Sequence, residues 1–319
     1  MKYLLPPQGV IKSQPTKRGS IGSIFRNWHA NPKDFCGAKV GIVGVPFDFG
    51  TKVSGGREGS SQGPTSVRNV LATGTTYFIE NKLDLEGITV LDFGDVQVVP
   101  DDPETTYSRV SNVICALLDR GITPITIGGS HDISFATIRG MAKYYQQKTI
   151  GGINIDAHLD VREITAGVIS SGAPFRAAIE EIKEFKAQYF TTIGVTGNTN
   201  AKAHFEYLLN QNSNIITLNE FRKQNRQDIL KDALKHPVDG SFLSVDIDVV
   251  CQSYAPGCSA PALIGMNVEE IAELVFLAGQ SKKMKMMDIV EFNPRFDQDN
   301  KTAKLVAYLI VQFIAGVHY

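Results

Sequence analysis

Short apolar runs rich in β-branched residues alternate along this chain with longer stretches whose apolar positions recur at helical spacing. The runs are Lys39–Val45, Ile88–Leu91, Thr123–Ile127, Gly152–Ile155, Phe190–Val195, Ile215–Leu218, Phe242–Val245 and Lys285–Val290. Within them apolar residues do not alternate with polar ones, which suits strands covered on both faces. Helical patterns occupy Tyr107–Leu118, Ile133–Tyr145, Ala173–Glu184, Val268–Leu277 and Thr302–Ala315. Strands that alternate with helices predict an α/β fold, a parallel sheet joined by right-handed crossovers. No linker rich in Pro, Ser or Gly divides residues 38–319, which read as a single domain. Residues 1–37 are polar and punctuated by Pro and Gly, and read as an irregular N-terminal arm.

Composition narrows the classes. The chain has 319 residues, is 43% hydrophobic and carries a formal net charge of −1. That is too apolar and too balanced for a disordered protein. It also gives no general attraction to nucleic acid or to an anionic membrane. Four cysteines without a CxxC pair build neither a disulfide scaffold nor a zinc ribbon. The N-terminal apolar stretch is broken by Pro6 and Pro7 and makes a poor secretory signal. Leu305–Val317 is too short to span a bilayer, contains Gln312, and reads as a buried helix. The expected setting is cytoplasmic, with a small-molecule substrate.

In a parallel α/β sheet, ligands bind beyond the carboxyl ends of the strands. Ionisable residues follow four of the apolar runs. Gly128–Gly129, Ser130, His131 and Asp132 follow the third, and Asp156, His158 and Asp160 follow the fourth. Asp246 and Asp248 end the seventh, and Glu291 ends the eighth. Extended chain would send residues i, i+2 and i+4 to one side, so Asp156, His158 and Asp160 would share a face. The Gly pair before His131 permits a tight turn. Four carboxylates in one crevice retain protons unless cations neutralise them. With two imidazoles added, the donor set suits two divalent ions, Mn²⁺ first, with Zn²⁺, Ni²⁺, Co²⁺ or Fe²⁺ as competitors. Two such ions about 3.5–4 Å apart can activate one water between them.

These residues resemble the ureohydrolase superfamily of arginases, agmatinases and formiminoglutamases. GGSHD (128–132), INIDAHLD (153–160) and SVDIDVVCQSYAPG (244–257) carry the resemblance, with support from GVPFD (44–48), GREGSSQGPTSVR (56–68) and DFGDV (92–96). It runs from about residue 40 to the C-terminus. The resemblance implies a three-layer α/β/α domain with an eight-stranded parallel sheet and a two-manganese site. His131, Asp156, Asp160 and Asp246 would hold one ion; Asp156, His158, Asp246 and Asp248 would hold the other. All six positions are intact, which opposes a catalytically idle relative. The family also implies a homo-oligomer, trimer or hexamer.

Departures select a branch. Cys251–Gln252 stands where many relatives carry Asp-Pro after the Asp-x-Asp pair, at a position that is not a ligand. The loop His-Gly of arginases and agmatinases is absent, and Ser170-Ser171-Gly172-Ala173-Pro174-Phe175-Arg176 resembles the corresponding formiminoglutamase loop. APGCSAPALIG (255–265) and EFNPRFDQDNKTAKL (291–305) point the same way. The implied reaction is hydrolysis of N-formimino-L-glutamate to glutamate and formamide, a step of histidine degradation. The alternative is an agmatinase, an arginase or another guanidino-acting ureohydrolase. In the implied reaction Asp160 moves a proton and Glu291 holds the amidinium. Ser171 and Arg176 bind the substrate, Arg176 through its planar fork on a carboxylate. Arg57 and Arg295 are further candidates for that carboxylate, while Arg68 reads as a structural ion-pair partner. Cys251 and Cys258 read as small loop or buried residues, and Trp28, Phe47 and Phe49 as core. His29, His204, His236 and His318 lack motif context. A non-hydrolytic nucleotide-binding protein is opposed by the absence of any GxGxxG or GxxxxGK[ST] after a strand.

Overall fold

Strands with apolar residues on both faces need cover on both sides of their sheet, and most of the eight runs are buried in two apolar clusters that include helix residues. The computed structural model describes residues 2–11, 19–33, 35 and 37–319. The strands in chain order are β1 (Leu4–Leu5), β2 (Phe25–Asn27), β3 (Val40–Gly44), β4 (Tyr77–Phe78), β5 (Leu83–Asp84), β6 (Val90–Val96), β7 (Thr123–Ile127), β8 (Ile150–Ile155), β9 (Phe185–Val195), β10 (Asn214–Thr217), β11 (Gly240–Asp246) and β12 (Met284–Val290). The helices are α1 (Phe49–Val53), α2 (Gly63–Val70), α3 (Pro103–Leu118), α4 (Ile133–Tyr144), α5 (Pro174–Glu181), α6 (Lys202–Asn210), α7 (Leu218–Phe221), α8 (Arg226–Ala233), α9 (Val268–Gln280) and α10 (Lys301–His318).

The main sheet runs β1-β6-β3-β7-β12-β11-β8-β9-β10, with β2 also paired to β6. Every pairing from β6 across to β10 is parallel. The expected α/β fold and eight-stranded parallel sheet are therefore present. Successive residues along a strand serve opposite faces. Val40 and Ile42 join one apolar cluster with residues of α2, α8, α9 and α10; Val43 joins a second with residues of α3, α4 and α5. No helix among the described residues is long and apolar enough to cross a membrane.

Helix ends follow local chemistry. Asn267 caps α9 through the Glu270 N–H, while the Glu270 side chain bonds back to Asn267, a reciprocal capping box. Asp102 accepts from the Thr105 N–H and, with Pro103 following, starts α3.

The N-terminal arm departs from its irregular reading. β1 pairs antiparallel with β6, β2 pairs parallel with β6, and Ile21, Ile24, Phe25 and Trp28 are buried. These strands have two and three residues, too few to show a period. Residues 1, 12–18, 34 and 36 of that arm lie outside the described residues.

Arg68 fixes the outer part of this assembly. From α2 it donates to both oxygens of Asp92 (2.9 and 3.1 Å), to Asp95 (2.6 Å) and to the Gly94 carbonyl (3.0 Å). All three charged side chains are buried. Burial disfavours the guanidinium charge, but Asp92 and Asp95 outweigh it and hold the Arg68 pKa above its ordinary value. This is the structural partnership expected for Arg68. Replacing it with Met strands two buried carboxylates, a change that costs about 3–5 kcal/mol when a buried pair loses one member. Chemical denaturation of Arg68→Met should show that loss as a lower midpoint.

Candidate metal centre

The four strands whose ends carry ionisable residues, β7, β12, β11 and β8, are neighbours at the middle of the sheet. Sheet order alone therefore gathers His131, Glu291, the Asp246–Asp248 pair and the Asp156–Asp160 segment. Gly129 lies between β7 and His131, and a side chain there would run into the Phe47 carbonyl. Its backbone also accepts from the Glu291 N–H at 2.8 Å, tying the β7 and β12 loops together.

Two groups of potential ligands result. His131, Asp156, Asp160 and Asp246 place ligand atoms within 4.8 Å of one another, as do Asp156, His158 and Asp248. Asp156 belongs to both. Asp246 falls in the first only, whereas the family pattern puts it in both. His131 Nδ1 lies 2.8 Å from Asp160 Oδ2, 3.2 Å from Asp246 Oδ2 and 3.5 Å from Asp156 Oδ2. His158 Nδ1 lies 3.2 Å from Asp248 Oδ2 and 3.5 Å from Asp156 Oδ1.

The convergence is real, but its local cause differs from an extended pleat. β8 stops at Ile155, and Asp156 Oδ1 accepts the His158 N–H at 2.6 Å. β11 stops at Asp246, whose Oδ1 accepts the Asp248 N–H at 2.9 Å. Each aspartate thus caps a turn with its own side chain, which brings the residue two positions on to the same side. Asp160 completes the set from a left-handed backbone (φ 48°), a conformation rare outside glycine.

Burial makes these charges costly. Asp246 is held well above the usual carboxylate range, first by burial and then by Asp248 and Asp156. Asp248 is pushed up to about 6 by burial, partly offset by His158. Asp156 goes the other way, because His158 and His131 outweigh its burial. His158 is raised by the Asp248 charge, and His131 is raised by Asp160 and Asp246 despite its own burial. Protons on Asp246 and on the two imidazoles thus offset part of the cluster's negative charge. Divalent cations would do that work when bound, and two further features fit them. His131 Nδ1 is buried without a hydrogen bond, since its carboxylate neighbours satisfy distance but not direction; Asp248 Oδ1 is buried and unpaired as well. Carboxylate and imidazole donors in these numbers suit manganese or its first-row neighbours.

Glu291 sits beside this centre, buried, and also left-handed (φ 63°). Its Oε1 accepts the His131 N–H at 2.7 Å, and both oxygens lie 3.3 Å from Thr51 Oγ1. Burial pushes its pKa up to about 7, against the pull of that N–H. The expected substrate residues are placed less centrally. Ser171 Oγ pairs with Ser54 Oγ at 2.9 Å. Arg176 bonds Glu180 and stacks its guanidinium 3.8 Å from the Tyr207 ring centre. Arg57 bonds the Cys258 and Ser259 carbonyls over Phe296. Cys258 and Trp28 are buried, and Cys251 is half-buried.

A third set went unread in the sequence. Ser244 Oγ lies 3.0 Å from His131 Nε2, and Asp288 accepts from Ser244 and Thr137, each at 2.6 Å. The signal was present as a lone Asp inside the apolar strand MKMMDIV.

With this geometry, the comparisons with known proteins are decisive. The Arginase family profile matches residues 38–316. This chain belongs to the arginase family. Formimidoylglutamase of Halalkalibacterium halodurans is 31% identical over 300 residues, covering 92% of this chain and 91% of that protein. Formimidoylglutamase of Staphylococcus carnosus is 32% identical over 280 residues, 87% of this chain and 86% of that protein. Among solved structures, Trypanosoma cruzi formiminoglutamase with Mn²⁺ superposes with a TM-score of 0.86 at 29% identity, covering 93% of this chain and 98% of that one. Formimidoylglutamase of Bacillus subtilis gives 0.85 at 26% identity, covering 96% and 94%.

The overlap of the two ligand groups makes an unequal prediction. Asp156→Asn, shared by both, should abolish binding of both ions, whereas Asp248→Asn should leave one. Elemental analysis and calorimetric titration with Mn²⁺ would count them; two ions retained in Asp156→Asn contradicts the assignment.

Proposed function

We propose that this chain is a manganese-dependent formiminoglutamase, hydrolysing N-formimino-L-glutamate to L-glutamate and formamide in the course of histidine degradation. The observation that carries the reading is the pair of buried ligand groups sharing Asp156, with a buried carboxylate, Glu291, beside them. Relatives about 30% identical over most of the chain, named formimidoylglutamase, support the choice within the family. His131, Asp156, Asp160 and Asp246 would hold one ion and Asp156, His158 and Asp248 the other, with Asp246 able to reach both in the family pattern. When bound, the pair would acidify a water molecule so that it attacks at neutral pH.

The chain's own groups do the rest. Glu291 is a buried carboxylate, and burial biases it toward the neutral acid although the neighbouring His131 opposes this. An amidinium placed there restores its charge and gains a charge-assisted bond, which orients the formimino carbon. Asp160 is an ionisable group at the edge of the cluster, on the segment that also carries the substrate loop. It takes a proton from the attacking water and delivers it to the glutamate nitrogen. The new C–O bond forms on the formimino carbon, the C–N bond to glutamate breaks, and formamide leaves.

The glutamate carboxylates need a cation. Arg176 is committed to Glu180 and Tyr207, so Arg162 takes the role first assigned to it. Arg162 lies two residues past Asp160, and its guanidinium makes no hydrogen bond or ion pair among the described residues. It lies against Gly172, where even a Cβ would come within 2.6 Å of its Nε, next to Ser171 in the substrate loop. Its planar fork can hold a carboxylate with two bonds.

With Mn²⁺ supplied, formamide should be released from formiminoglutamate, and urea should not be released from arginine, agmatine or guanidinobutyrate. Urea from agmatine with no turnover of formiminoglutamate would overturn the proposal. Arg162→Gln should raise KM for formiminoglutamate about 10- to 100-fold with kcat little changed, the loss of a charged hydrogen bond made equally in ground and transition state. Glu291→Gln should retain both ions and lower kcat/KM by about 100-fold or more.

A further inference from the structure

A metal-binding imidazole needs its ligating nitrogen bare, and a histidine has two tautomers to choose from. His131 is completely buried, so water cannot make the choice. The groups around its far nitrogen, Nε2, can. That nitrogen lies 3.0 Å from Ser244 Oγ. Ser244 has one proton to give, and Asp288 Oδ1 lies 2.6 Å from the same oxygen. Asp288 also receives Thr137 Oγ1 at 2.6 Å on Oδ2 and Ser134 Oγ at 3.0 Å on Oδ1. Burial raises the Asp288 pKa, but three hydroxyls directed at the carboxyl oppose that and favour its ionised form, which only accepts.

The direction of the Ser244–His131 bond then follows from counting protons, whichever way the 3.2 Å contact between Ser134 Oγ and Ser244 Oγ runs. The Ser244 hydroxyl donates to Asp288, so toward His131 it has only a lone pair left. Nε2 must therefore carry the hydrogen and donate to Ser244. Of the two neutral tautomers this selects the one whose Nδ1 can ligate once an ion displaces any proton there, and it is Nδ1 that lies among Asp156, Asp160 and Asp246 without a hydrogen bond. We propose that Asp288, acting through Ser244, is a positioning residue that locks His131 in the tautomer and orientation required for binding one of the two metal ions. The proposal rests on the metal-centre reading and adds the group that prepares one ligand. It touches one ion only, because His131 belongs to the first ligand group and not to the second.

Asp288→Asn keeps the shape of the side chain but lets an NH₂ donate to Ser244. Ser244 can then turn its own proton on Nε2, which moves the histidine hydrogen to Nδ1 and blocks ligation. Ser244→Ala removes the acceptor altogether and disturbs packing less. Manganese titration by calorimetry, with the unfolding temperature measured beside it, tests both. The wild-type chain should bind two ions. Each variant should bind one of them about 10- to 100-fold more weakly, the usual effect of losing an outer partner of a metal-bound histidine, and the other as before. The double variant should be no weaker than Asp288→Asn alone, because the two groups form one chain. Thr137→Val, which leaves the Ser244 link in place, should bind both ions nearly normally. Unchanged affinity for both ions in Asp288→Asn and Ser244→Ala overturns the proposal. So does an equal loss of both ions together with a large fall in unfolding temperature, which marks a merely structural role. A wild-type chain that binds no ion fails earlier, at the metal-centre reading itself.

Discussion

Electrostatic repulsion among buried carboxylates is the constraint on which this molecule turns. Asp156, Asp246 and Asp248 are buried at the ends of adjacent strands, and Asp160 is close behind. Two like charges 4 Å apart repel by about 4 kcal/mol at an effective dielectric constant of 20. A few such pairs rival the whole stability of a domain, about 5–15 kcal/mol. The fold can carry the cluster only in forms where the charge is cancelled. Without ions that role falls to protons on Asp246, His131 and His158, with Asp248 joining them as the pH falls toward 6. Metal binding would exchange those protons for cations, so the same feature that burdens the apoprotein drives occupancy of the site.

Parallel topology makes the burden possible. Four neighbouring strands end on one side of the sheet, and their loops bring ionisable groups together without any long segment dedicated to the purpose. Arg68 shows the contrasting solution at the outer part of the sheet. Two buried aspartates on β6 share a built-in guanidinium there. One cluster supplies its own cation and is structural. The other lacks one and is suited to bind.

The main framework was legible because its signals are long or chemically emphatic. All eight central strands occur where the apolar runs lie, and the six ligand positions converge. Legibility ended where a signal depends on partners. β1 and β2 are too short to show a period, and α6 buries only Leu208, so its stripe was too thin to read. The Asp-x-His-x-Asp residues converge as expected but by another local geometry, since a side-chain-capped turn and a left-handed residue replace the pleat. The arginines are a clearer case. Sequence gives a charge and a position, but not whether Glu180 and Tyr207 already hold Arg176 while Arg162 stays unpaired among the described residues.

Asp160 and Glu291 share one more feature that bears on how the site is held. Both are non-glycine residues in the left-handed region, where each conformation costs of order 1–3 kcal/mol and persists only if its surroundings enforce it. The enforcing contacts come from other segments. The Phe175 N–H donates to the Asp160 carbonyl at 3.3 Å, tying it to the start of α5. Glu291 donates its N–H to Gly129 at 2.8 Å and accepts from Ser259 at 3.2 Å. Each strained residue is thus pinned by a neighbouring loop, and each pin also fixes where that loop lies. Relaxing either residue would release a side chain from the candidate metal centre and loosen the loop that faces it. The geometry of the candidate site and that of its loops are therefore one constraint here, which explains why the chain retains conformations that isolated dipeptides avoid.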